Sequence, residues 1–206
     1  IDPSKLRIEL YPADVLKRKA EPVDPSPDTA AVAERMIALM HGADGIGLAA
    51  PQIGLSWRMF IAHVPAYPEN APDDAPDRTT SNQPDGNAPG DRASENGMAP
   101  ETNTEPEVYI NPVIESSEGA PELAGEGCLS IPGVTGDVQR PPVIDLSWTD
   151  LAGNRQRRKA SGLLARCWQH ELDHLDGVLI LDRMIEPSRI KSRVAIRNLE
   201  RQARGC

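Results

Sequence analysis

Aromatic residues make up only 3% of this 206-residue chain, with a single Phe. The core is therefore expected to rest on Leu, Ile, Val, Met and Ala. No apolar run approaches the roughly 18 to 20 residues that crossing a bilayer requires. The opening IDPSKLRIEL also lacks the charged segment and apolar stretch of a secretory leader. A soluble chain is expected. Three cysteines, Cys128, Cys167 and Cys206, are too few and too scattered for a disulfide framework, which points to a reducing compartment. No internal repeat is visible, and the length suits one sizeable core, so a single domain over 1–206 is expected.

Charge is present but unevenly placed. The net charge is -9, yet Pro65 to Glu107 alone holds ten acidic residues against two arginines, and eight of the twenty prolines. That segment has no helical or strand period and reads as an acidic, Pro-rich insertion over 65–107, solvated and mobile. Its flanks, WRMFIAHV and VYINPVI, are strand-like, as if one hairpin connection had been enlarged.

Elsewhere the elements can be placed coarsely. Asp28 or Thr29 can cap a helix in which Val32, Ala33, Met36, Ile37 and Met40 recur at helical spacing, ending near Gly42. VIDLSW, TDLAGN and RQRRKA read as strand, turn and strand, with Gly153 and Asn154 at the reversal. Ser161 can cap a helix from Gly162 to about Leu175, closed by Gly177. Pro187 suits the first turn of a last helix over 187–206. It carries Arg189, Lys191, Arg193, Arg197, Arg201 and Arg204 against Glu200, with Ile190, Val194, Ile196 and Leu199 as apolar contacts.

The chemistry concentrates in CWQHELDHLDG, which holds two of only four histidines. Residues four apart lie one above the other on a helix, so His170 and His174 can offer imidazole nitrogens to one ion. Glu171 sits about 100° around the helix from His170, beside such an ion, where a carboxylate can take a proton from water. The H-E-x-x-H pattern on a capped helix is the mark of zinc-type hydrolases. The ordinary alternative is a pair of histidines in a core or surface stripe.

Catalytic centres of this kind use three protein ligands and leave a further position open. Zincin-type enzymes take a third ligand from a downstream His or Glu, and here only Glu186 and Glu200 are of that type; upstream, GEGCLSIPG presents Cys128 beside glycines that permit close backbone approach. Taken alone, a free cysteine is more often a small buried hydrophobe. A third stretch, GIGLAAPQIG, combines glycines with the neutral amide donor of Gln52.

In this order, GIGLAAPQ, EGCLS and QHELDH resemble the three signature motifs of peptide deformylases, metallohydrolases that remove the formyl group from N-terminal formylmethionine. The resemblance runs from about Leu6 to about Pro187. It implies an α+β fold, with antiparallel or mixed strands packed around a central helix that carries the H-E-x-x-H motif. It implies Cys128, His170 and His174 as metal ligands and Glu171 as general acid and base. The Gln52 amide and the Leu129 backbone N–H are implied to face the formyl oxygen. Gly47 would bond the substrate backbone, and Ile46, Leu163 and His170 would line the methionine pocket. One divalent ion is implied, Fe(II) physiologically, with Zn, Ni or Co as substitutes. Partners would be N-formylmethionyl peptides and, through the basic last helix, the ribosome, with no membrane. The location would be the bacterial cytoplasm, or an organelle of bacterial descent.

Two positions depart from the family pattern: Arg166 stands where some relatives carry an apolar residue, and Thr135 stands where many carry an arginine, Arg140 being farther along. Two other readings stay open. A metallopeptidase cutting internal bonds would not normally use an upstream thiolate. A structural metal site would need a fourth protein ligand, for which Cys167 is the sole candidate.

Overall fold

The computed structural model describes residues 1–65 and 102–205. Most of the expected acidic insertion, and Cys206, therefore lie outside the described residues. Its flanks are described, and they pair as the sequence suggested: β2 (Met59–Ala62) runs antiparallel to β3 (Glu107–Glu118), with Phe60 opposite Tyr109.

These two strands sit within a five-stranded antiparallel sheet. Its order is β1 (Gly47–Ala49), β2, β3, β6 (Val143–Thr149), β7 (Arg155–Ser161). β6 and β7 form the hairpin read from VIDLSW and RQRRKA, with Gly153 at φ +85° in the turn, where a side chain would strain the backbone. A second sheet of two antiparallel strands, β4 (Glu122–Gly127) and β5 (Thr135–Arg140), lies between β3 and β6 in sequence. ELAGEG and TGDVQR lack apolar alternation, so this hairpin carries no strand signature of its own.

The first long helix, α1 (Pro27–Gly42), buries the predicted stripe of Val32, Ala33, Met36 and Met40. Its cap lies two to three residues earlier than expected. Ser26, in an extended conformation ahead of Pro27, accepts from the Thr29 N–H, while Thr29 Oγ1 accepts from the Ser26 N–H at 2.7 Å. Thr29 is thus the reciprocal partner in the capping box. Pro27 supplies the fixed φ and missing N–H that a first helical position tolerates.

α2 (Gly162–Leu175) packs against β1, β2, β6 and β7. Ser161 stands at its N-cap in extended geometry without a side-chain capping bond, and Gly177 follows the helix at φ +73°. The core between α2 and the sheet departs from the expectation of an aliphatic interior. Phe60 stacks on Tyr109 at 4.6 Å, and Trp148 and Trp168 meet Tyr109 at 4.8 and 5.6 Å. Few aromatics are present, but four converge here, because large rings bury the most surface where a helix covers a sheet. A second apolar cluster joins α1 to β1 and β2.

A short helix, α3 (Ile180–Arg183), leads to α4 (Glu186–Ala203), which has Pro187 in its first turn. Only part of its expected apolar contact forms. Leu199 is buried and Ile196 packs on the third cluster, but Ile190 and Val194 are 64% and 69% exposed. Positions 190 and 194 are four apart and face away from β5, which α4 covers. Among the described residues no helix is long and apolar enough to cross a membrane.

Candidate metal centre

Three elements converge on one cavity of about 740 Å³. β1 supplies its first wall and a 3₁₀ turn over Ala50–Ile53 follows at once. Pro51 helps fix that turn, and Gly54, at φ +84°, closes it. Gln52 is thereby turned inward and buried. Its Oε1 accepts the Ala49 N–H at 2.8 Å, so its amide N–H groups must point the other way, to Ser130 Oγ at 3.2 Å and Cys128 Sγ at 3.5 Å. The acceptor half of the side chain is occupied by backbone; the donor half faces the site.

Cys128 follows β4 directly, in a tight turn held by the Ile131 N–H on the Cys128 carbonyl. α2 supplies His170, Glu171 and His174. The two imidazoles, one turn apart, lie with centroids 5.0 Å from each other. One ligand atom each from Cys128, His170 and His174 falls within 4.8 Å of the others, the only such cluster among the described residues. The Cys128 Sγ to His174 Nε2 distance is 3.2 Å. Cys167, the candidate for a fourth ligand, is turned away: its buried thiol donates to the Ile46 carbonyl at 3.5 Å, and burial, with Glu171 beside it, raises its pKa well above the ordinary thiol value.

The ring of His170 is aimed by a buried carboxylate, Glu126, the first residue of EGCLS, whose role the sequence does not announce. Glu126 Oε2 bonds His170 Nδ1 at 3.0 Å, which leaves Nε2 for the site. Glu126 is in turn gripped by Arg140 through two N–H donors at 2.6 and 2.8 Å. Arg140 also reaches Asp173 at 2.9 Å, and Arg183 completes the chain on Asp173. Burial alone would raise the Glu126 pKa, but Arg140 and His170 hold it well below the carboxylate range. Arg140 is therefore spent on the framework of the site, while Thr135 opens β5 at the cavity edge. An arginine so deeply buried must find carboxylates, and because its burial is visible only in the fold, the sequence carried no sign of this role.

The electrostatics suit a cation. Burial holds His174 well below the ordinary imidazole value, so it is neutral and free to ligate. Burial opposes charge on His170 too, but Cys128 and Glu126 together pull its pKa well above normal. The anionic surroundings that would favour a proton there favour a metal ion in its place. A soft thiolate with two imidazoles is a donor set for zinc, iron and their neighbours.

Glu171 is 3% exposed, and one of its oxygens, Oε2, is buried with no partner among the described residues. Its other oxygen lies against Gly47, where a Cβ would collide with it. Desolvation raises its pKa to about 7, despite the opposing charge of His170. A carboxyl so placed exchanges its proton near neutrality. Leu129, Ile46, Gly47 and Leu163 all line the same cavity; Ile46 also packs on the α2 core, and Leu163 is 40% exposed.

Comparison with known proteins agrees with this geometry. Residues 5–189 match the family model described as polypeptide deformylase. A peptide deformylase of Roseiflexus castenholzii is 38% identical over 180 residues, 86% of this chain and 85% of that protein. One from Parasynechococcus marenigrum is 34% identical over 198 residues, 96% of this chain and 82% of its own length. Among solved structures, the peptide deformylase of Ehrlichia chaffeensis superposes with a TM-score of 0.76 at 28% identity, covering 97% of each chain. That of Synechococcus elongatus, in complex with actinonin, gives 0.71 at 33% identity, covering 95% of this chain and 86% of that one.

Proposed function

The chain belongs to the polypeptide deformylase family, and on that premise we propose that Cys128, His170 and His174 hold a divalent metal ion beside which Glu171, Gln52 and Leu129 act on an N-terminal formyl group. The activity is that of a hydrolase acting on N-formylmethionyl peptides, releasing formate and a free amino terminus. The convergence of one sulfur and two imidazoles within 4.8 Å, next to a buried carboxyl, is the observation that carries the assignment of roles.

A cation held there supplies Lewis acidity, polarising the formyl carbonyl and acidifying nearby water. The residues do the rest. Glu171 takes a proton from the attacking water on its carboxylate and returns it to the leaving nitrogen as the C–N bond breaks. The Gln52 amide N–H and the Leu129 backbone N–H donate to the formyl oxygen as negative charge develops on it, a preorganised donor of this kind contributing about 3 to 4 kcal/mol. Because Gln52 Oε1 is held by the Ala49 N–H, the amide keeps its donor nitrogen toward the site, where one N–H exchanges its contact with Cys128 Sγ or Ser130 Oγ for the formyl oxygen. Gly47 offers backbone to the extended peptide, and Ile46, Leu163 and His170 border the space for its first side chain.

Fe(II) is the proposed physiological ion, with Zn, Ni or Co as substitutes; the thiolate and imidazole set admits all four. We take residues 1–206 as one catalytic domain working in the bacterial cytoplasm, where thiols stay reduced. The ribosome is the proposed partner of α4, whose exposed Ile190 and Val194 accompany a run of basic residues suited to ribosomal RNA. Retention on pelleted ribosomes that is salt-sensitive and lost on truncation after Pro187 tests that docking. The catalytic assignment is tested by formate release from a formyl-Met-Ala peptide, with metal analysis of the same sample. Glu171→Ala should keep the metal and lose turnover; retained turnover would reject Glu171 as the base.

A further inference from the structure

The wall that α2 gives to the cavity is chemically uneven. Leu163, Arg166 and His170 are spaced by three and four residues, so they share one helix face, and all three line the cavity. Much of the remaining lining is glycine or apolar, including Ile46, Leu129 and Val134, and Arg166 is the only Arg or Lys among the described lining residues.

Arg166 is not a loose surface cation. Its side chain is 14% exposed. Its Nη1 donates to Glu126 Oε1 at 2.8 Å and to the Val138 carbonyl at 3.0 Å, and its Nη2 donates to the Glu122 carbonyl at 2.9 Å. A guanidinium carries five N–H donors in a fixed plane. Three are engaged, so Nε–H and one Nη2–H have no acceptor among the described residues. A charged donor that is desolvated by an incoming ligand and left unpaired is costly, whereas one that meets an acceptor forms a strong bond. The three anchoring bonds hold the plane in advance, so little side-chain freedom is lost when a ligand arrives.

Resting on the reading above, that this cavity receives the side chain of the formylated residue, we propose that Arg166 is a specificity-determining residue whose spare N–H donors let the enzyme accept a first side chain ending in an acceptor oxygen. Oxidised methionine, the sulfoxide, is the side chain concerned: it has the length of methionine but carries an S=O oxygen. A wholly apolar pocket would strip that oxygen of water without return. Here the oxygen accepts from Arg166, so damaged formylmethionine is still cleared of its formyl group.

Three peptides that differ only in the first residue, formyl-Met, formyl-norleucine and formyl-Met sulfoxide, test the proposal through formate release. The wild-type kcat/KM for the sulfoxide should lie within about tenfold of that for norleucine. Arg166→Leu can slow every substrate, because Arg166 also touches Glu126, so the readout is the ratio between substrates. In that variant the sulfoxide to norleucine ratio should fall by about tenfold or more, through KM, the size of a lost bond to a charged donor. Arg166→Lys, which keeps a donor without the planar fork, should fall between, and it decides the matter if the leucine variant does not fold. A ratio that stays within about twofold of wild type in the folded variants overturns the proposal. So does a wild-type enzyme that processes formyl-Met and formyl-norleucine but refuses the sulfoxide. Absence of formate from formyl-Met itself would instead defeat the deformylase reading, and this proposal with it.

Discussion

Gly47→Ala is a one-carbon change whose effect can be worked out from the structure. Gly47 opens β1, and its φ is not in the left-handed region, so the backbone accepts alanine without strain. The collision is with side chains. A Cβ there would stand 2.8 Å from both Glu171 Cδ and Cys167 Sγ, with a Glu171 carboxyl oxygen closer still. Ordinary contact between such atoms begins near 3.5 Å, so both contacts must open by about 0.7 Å or more, through the side chains or through β1 itself. Cys167 is wedged in the α2 core, so β1 is pushed back from it and the carboxyl of Glu171, the closest group, is displaced. A displacement of about 1 Å in a reacting group costs on the order of 100-fold in rate, or roughly 2.7 kcal/mol of barrier. Overpacking should also lower stability by about 1 to 3 kcal/mol. The three atoms nearest the new Cβ belong to Glu171 and Cys167 rather than to the proposed ligands, so bound metal should remain. Gly42→Ala, whose Cβ meets nothing within 4 Å, serves as the control. The assay is kcat/KM on a formyl-Met peptide, with thermal unfolding and metal content on the same preparations. A Gly47→Ala enzyme with wild-type kcat/KM would refute the claim that this glycine makes room for the working carboxyl.

Other outcomes follow from the same structure. Glu126→Gln should leave Arg140 and Arg166 short of a buried counter-charge and His170 with a weaker orienting partner. Denaturant unfolding should show a loss of about 3 to 5 kcal/mol, and dialysis against a chelator should show metal held 10 to 100-fold more weakly, both by order of magnitude. Gly177→Ala combines a left-handed backbone at φ +73° with a Cβ only 2.7 Å from the Lys17 carbonyl oxygen. It should cost about 2 kcal/mol or more in thermal unfolding, with turnover of the folded fraction kept. Burial, with the hydrogen bond to Glu107, raises the Tyr109 pKa far above the phenol range. Its contribution to stability is thus complete below about pH 10, the unfolded value, and declines as pH rises beyond it. An absorbance titration of the native protein should miss this phenol until the chain unfolds, and a normal titration would count against the buried pairing.

The failures of sequence reading have physical causes. β4 and β5 are rich in glycine and charged residues, so no alternating pattern announces them, and the buried pair of Glu126 with Arg140 ties their inner side together. The same pairing explains why Arg140 is absent from the cavity wall. The sequence places the α1 cap at Asp28 or Thr29; it lies at Ser26 because Ser26 and Thr29 bond reciprocally ahead of Pro27. The apolar residues of α4 split between contact and solvent because only one side of that helix meets β5 and α3. For the β4–β5 hairpin and for α4 the decision lay with partners outside the element itself, whereas the α1 cap was decided three residues away.

By itself the chain order determined the local chemistry: helical spacing stacks His170 over His174, sets Glu171 to one side, and a strand-turn-strand pattern encodes the β6–β7 hairpin, since these depend on neighbours a few residues apart. Only the folded structure brought Cys128, 42 residues upstream of His170, within 4.8 Å of the two imidazoles and turned Cys167 toward a carbonyl. It also placed Gly47 where the absence of a side chain admits a carboxylate. Such convergence is set by how α2 lies against two sheets, and that depends on the summed burial of a whole core, a quantity no short stretch of residues contains.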